Sequence, residues 1–162
     1  MSEPPYEEHR PTPGRMFAAE IRGSALGLLI AGGVCLYFGF ALVIDAPGSA
    51  GEEATQAWYA ADHAFRWCLR VLGALFLLAA AWAATGQCAA MLLSTAAEVA
   101  FALLMLAMSI EATLEARADG LWDFFVILLL ILAVIGISAA KRSWSLYRMS
   151  GRAARTVPSE DS

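Results

Sequence analysis

Charge is nearly absent from three long stretches of this chain, and that absence dictates the solvent in which it can fold. No charged residue lies between Arg22 and Asp45, only Glu98 lies from Val71 to Ile110, and none lies from Phe124 to Ala140. Uncharged runs of about 18 or more residues read as transmembrane helices, whereas a buried helix of a soluble core rarely exceeds about 14. Composition agrees: 59% of the residues are hydrophobic and 16% charged, against about half and a quarter in soluble domains.

The middle stretch is the informative one. A single helix from Val71 to Ile110 would reach about 60 Å, twice the hydrocarbon thickness of a bilayer. It must fold back on itself. Its only polar break is Thr85-Gly86-Gln87, where glycine permits a tight reversal. Four spans result, at about 24–44, 65–84, 88–110 and 121–140. The expected fold is therefore all-α, an integral membrane bundle of four transmembrane helices over residues 21–140. Residues 1–20 form a tail rich in proline and mixed charge, with nothing to bury. Residues 141–162 form a basic juxtamembrane segment and C-terminal tail.

Orientation follows the flanking Lys and Arg. Arg10, Arg15 and Arg22 precede the first span, and Lys141, Arg142, Arg148, Arg152 and Arg155 follow the fourth. With an even number of spans these fall on one side, facing an acidic other side that includes Asp62, Glu111 and Asp119. Both termini are expected to be cytoplasmic, in the cell membrane. The first span is expected to be retained, since its apolar run exceeds the 7 to 15 residues or so of a signal peptide.

Cys35, Cys68 and Cys88 are odd in number and sit in or beside apolar runs, without a CxxC; they read as small apolar thiols. His9 and His63 fall outside the spans, so bis-histidine haem within the bilayer lacks ligands. No cofactor or resident metal is expected. Nucleic-acid binding is not expected either, because the chain is net −4 and its basic stretch abuts a span.

Within the first span Gly23, Gly27, Ala31, Cys35 and Gly39 recur every four residues. Close approach of helices in lipid depends on small residues, so this ladder is the expected helix-packing face, toward another helix or a second copy. After the fourth span, Lys141, Arg142 and Arg148 interleave with Trp144, Leu146 and Tyr147. That pattern suits a helix resting on an anionic leaflet, the three basic residues being candidate lipid contacts.

Glu98 stands about 15 Å into the third span, near the bilayer centre. A charged side chain there costs about 2.5 to 3.5 kcal/mol on insertion scales. The apolar residues of the span return about 2.5 to 5 kcal/mol, so the helix inserts only with support from its hairpin partner. Ser94 and Thr95, four and three residues earlier, share its helix face, and Arg70 on the preceding span is within reach of a long side chain. Three states are open: a neutral carboxyl, an ion pair with Arg70, or a group lining a hydrated path.

Three functions follow in order. The first is a non-enzymatic subunit or interaction partner in a membrane assembly, as a homo-oligomer or with another membrane protein. The second is a small transporter or proton-coupled carrier with Glu98 as the titrating group. The third is a membrane enzyme or metal site built from Asp62, His63 and Glu111 at the outer surface. No family motif is visible.

Overall fold

Leu, Ala, Ile and Phe fill long segments without a helix breaker, and each such segment is helical from end to end. The computed structural model describes residues 13–41, 52–119 and 124–155. They form α1 (Pro13–Ala41), α2 (Glu52–Ala84), α3 (Ala90–Asp119) and α4 (Phe124–Arg155). Proline opens α1, where its missing N–H costs nothing because first-turn donors have no intrahelical partner. All four helices are long and apolar enough to cross a membrane. The tail before Pro13, the Asp45–Gly51 loop and the Leu121–Asp123 start of the fourth span lie outside the described residues.

The reversal between α2 and α3 falls at the polar break. Gly86 takes φ +78°, a left-handed conformation that costs other residues about 1 to 2 kcal/mol. Its N–H donates to the Ala83 carbonyl at 2.8 Å, and that of Thr85 to Trp82 at 3.0 Å. The Trp82 indole then donates across the turn to Gln87 Oε1 at 2.8 Å.

Neighbouring helices run antiparallel as two intimate pairs, α1 with α2 and α3 with α4. Glycine sets the closest approach in the first pair. A Cβ on Gly73 would stand 2.7 Å from Leu36 Cγ and 3.0 Å from the Gly32 carbonyl oxygen, and one on Gly32 would stand 3.0 Å from the Gly73 oxygen. In the second pair, a Cβ on Gly136 would meet Ala102 Cβ at 3.1 Å. The centre of the bundle is correspondingly fine-grained: Ala79, Ala83, Ala90 and Met91 are fully buried, and Phe76 meets Phe101 edge to face at 6.2 Å. Large apolar side chains such as Leu26, Ile30, Tyr37, Leu103 and Val134 point outward instead. In water such an exterior would be an association surface.

Two expectations need correction. The fourth span was expected to end at Ala140, with the basic segment beyond it lying on a leaflet. Instead α4 continues unbroken to Arg155, because Ser143 and Leu146 are buried within the bundle. Lys141, Arg142 and Arg148 are exposed. The second correction concerns the small-residue ladder. Gly39 does pack on α2, where its Cβ would meet Arg70 Cγ at 2.9 Å, but a Cβ on Gly23 or Gly27 would meet nothing within 4 Å. The reason is helical phase. Each step of four advances about 400°, so the face drifts about 40° per step and about 160° from Gly23 to Gly39. The seam that meets α2 is Gly32, Leu36 and Gly39, whose seven-residue span returns within about 20° of its start.

Candidate functional site

Side chains on a helix lean toward its N-terminus, which turns Glu98 on α3 toward the end of the bundle where α4 finishes. Glu98 is 7% exposed. Its Oε1 accepts from Ser94 Oγ at 3.0 Å and from Ser143 Oγ at 3.2 Å, and the two hydroxyls lie 3.2 Å apart. Ser94 comes from the preceding turn of the same helix; Ser143 is delivered by α4, which places Glu98 level with the exposed Lys141 and Arg142 and not midway along the bundle, as its position in the third span had suggested. Gly136, one heptad earlier on α4, lets that helix approach, since even a methyl group there would stand 3.3 Å from the Glu98 carbonyl oxygen. The second carboxyl oxygen, Oε2, is buried and has no hydrogen-bond partner.

Glu98 also lines a cleft. The contact between α1 and α4 is far sparser than that within either helix pair, and a cleft of about 460 Å³ opens between them. Gly23, Gly27, Ala31 and Cys35 of α1 form one wall, and Gly136, Ala139 and Ser143 of α4 the other, with Glu98, Phe76 and Phe101 also lining it. The N-terminal part of the ladder is thus a wall of empty space rather than a packing contact. At the end of the cleft nearer the start of α1, Arg142 Nη2 stands 4.0 Å from Glu20 Oε1, linking α4 to α1. Both side chains are largely exposed, so this link adds little stability.

The structure does not bring Arg70 to Glu98. Its Nε donates to the Gly39 carbonyl at 2.9 Å, and its guanidinium lies 4.3 Å from the Phe40 ring centroid and 5.4 Å from that of Trp67. The Gly39 carbonyl is in the last turn of α1, where acceptors have no intrahelical donor and the helix dipole favours a cation. Arg70 therefore caps α1, near the opposite end of the bundle from Ser143. Thr95 does not bond to Glu98 either: its hydroxyl donates back to the Met91 carbonyl at 2.7 Å.

The outer acidic group is dispersed. Asp62 is paired with Arg66 one turn away, His63 is exposed and edge-on to Trp67 at 6.4 Å, and Glu111 is exposed. Among the described residues no three His, Cys, Asp or Glu side chains are placed to hold a metal ion. The three cysteines are free, Cys35 buried and Cys68 exposed.

Ser143 was missed from the sequence because it follows Lys141 and Arg142, which signalled the end of a span. A signal existed nonetheless. Gly136, Ala140 and Ser143 fall at intervals of four and three, and Met91, Glu98 and Met105 at intervals of seven; each is one helix seam. Comparison with protein families, curated proteins and solved structures yields no match.

Proposed function

We propose that this chain is a multi-pass protein of the cell membrane with both termini in the cytoplasm, acting as a non-enzymatic subunit that receives a partner in the α1–α4 cleft. One observation carries the reading: Glu98, whose Oε2 is buried and without a hydrogen-bond partner, is among the residues lining a cleft that has Gly23, Gly27 and Ala31 on its α1 side. A buried polar atom left without a hydrogen bond costs about 1 to 3 kcal/mol, so a fold that keeps one beside a cleft supports a reading in which the cleft is filled. The basic residues flanking α1 and ending α4 support the orientation.

A carrier would need polar groups at successive depths. Toward the far end of the bundle the neighbours of Glu98 in the cleft are Phe76, Phe101 and Leu132. The next buried hydroxyl along α3 is Ser109, about 16 Å of helix rise away. The polar cluster is a single site, which suits binding at one place.

The test is to fill the cleft. Gly27→Leu with Ala31→Leu should leave the bundle folded, because α1 has vacant space there, yet dissociate the native complex extracted in mild detergent, measured as particle mass. Leu29→Ala on the exposed outer face should change neither. A complex of undiminished mass in the filled variant would refute the reading. Reporter fusions at the two ends should both signal cytoplasm. Proton-linked flux in vesicles, abolished by Glu98→Gln, would favour the carrier instead.

A further inference from the structure

Resting on the bilayer reading but not on the cleft, we propose that the end of α4 is a binding surface for anionic phospholipid headgroups, built on Lys141, Arg148 and Arg152. Helical phase brings these three together. Counted at about 100° per residue from Lys141, Ser145, Arg148 and Arg152 lie at about 40°, 340° and 20°, a strip about 16 Å long. All four residues are exposed. Ser143 and Leu146, which are buried, lie at about 200° and 140°. The bundle therefore holds α4 by the opposite face and turns the strip outward. Arg142, at about 100°, stands apart from it, with Nη2 4.0 Å from Glu20 Oε1.

Charge complementarity selects the occupant. No acidic residue occurs in α4 from Phe124 to Arg155. Among the described residues Glu20 pairs with Arg142 and Asp62 with Arg66, and no carboxylate neutralises the strip. Depth agrees with a headgroup. Trp144 is 46% exposed, its ring centroid 5.7 Å from that of Tyr147, and such rings sit at the membrane–water interface. Arg148 and Arg152 follow Trp144 by about one and two turns. Lys141 precedes it by less than one, close enough for its long stem to carry the ammonium into the same layer. A phosphate there offers each cation a charge-assisted acceptor, whereas a choline headgroup brings a cation of its own to the same place. The strip thus discriminates on net headgroup charge. A leaflet already surrounds it at that depth, while an acidic protein segment would have to be brought to it.

The experiment reconstitutes the full chain in vesicles of equal parts phosphatidylglycerol and phosphatidylcholine, extracts it in mild detergent at low salt, and counts retained lipids by intact mass. The ratio of retained phosphatidylglycerol to phosphatidylcholine should exceed that of the vesicle about 5-fold or more, the effect of one basic residue near an anionic surface. Arg148→Gln with Arg152→Gln should bring the ratio back toward that of the vesicle. Arg148→Lys with Arg152→Lys should keep the preference, and so should Arg142→Gln, which removes the same charge from beside the strip. These exposed substitutions should leave the melting midpoint unchanged. A retained ratio equal to that of the vesicle overturns the inference. So does a preference that survives the paired Gln changes, or that Arg142→Gln removes as completely. If the paired Gln changes leave lipid retention alone but lower the mass of the native complex, the strip belongs to an acidic partner protein and the inference falls. The bilayer reading fails separately: a chain that stays dissolved when detergent is withdrawn defeats it before any lipid is counted.

Discussion

Two glycine-to-alanine changes of identical chemistry should have opposite effects on this bundle. At Gly73 the added methyl would sit 2.7 Å from Leu36 Cγ and 3.0 Å from the Gly32 carbonyl oxygen, where ordinary contacts are about 3.5 to 4 Å. Leu36 can give a little; the carbonyl belongs to the backbone of α1 and cannot move without the helix. Overpacking of this kind costs about 1 to 3 kcal/mol, offset by up to about 1 kcal/mol of helix propensity. The net loss is about 0 to 2 kcal/mol. At Gly27 the methyl meets nothing within 4 Å, so only the propensity gain remains, at most about 1 kcal/mol. The two variants should therefore differ by about 2 kcal/mol, or about 4 to 8 °C in midpoint for a chain of this size. Unfolding in mixed micelles, titrated with a denaturing detergent and followed by the fluorescence of the five tryptophans, measures both. The reasoning fails if Gly27→Ala is the more destabilising, or if the variants agree within about 0.3 kcal/mol.

Ser143→Ala removes one of two donors to Glu98 Oε1 and should cost about 0.6 to 1.7 kcal/mol in the same titration, while Thr95→Ala, whose hydroxyl bonds only to its own helix, should stay within about 0.5 kcal/mol; equal losses would contradict the assigned donors. Arg70→Met keeps the stem but loses the Gly39 hydrogen bond and the contact over Phe40, a loss of about 2 kcal/mol. It should leave the mass of the native complex unchanged, and dissociation matching that of the cleft-filled variant would return Arg70 to the Glu98 site.

Much of the architecture was legible because it depends on solvent. A run of forty residues with a single charge cannot be one span, and Gly86 was the only place for it to turn; both follow from bilayer thickness and backbone sterics. Helix ends were less legible. Lys141 and Arg142 were read as the end of the fourth span, yet a side chain with a long stem can stay outside while its neighbours turn inward. Ser143 and Leu146 do turn inward, and with Ser143 half of the Glu98 site passed unseen.

The small-residue ladder was misread for a reason that reaches the function. Spacing by four suggests a shared face, but shared faces persist only for spacings near a multiple of 3.6 residues, and the accumulated drift carried Gly39 onto α2 while leaving Gly23 and Gly27 on the cleft. The sequence therefore encodes two seams, not one. The seam of Gly32, Leu36 and Gly39 closes the bundle on itself. Gly23 and Gly27 face a vacancy that Glu98 also lines. Glycines that serve internal packing should resist substitution in the isolated chain. Glycines that serve a visitor should tolerate it there and resist only when the visitor is present. Gly73 and Gly27 are placed to show those two behaviours, and the complex, rather than the purified chain, is where Gly27 has its effect.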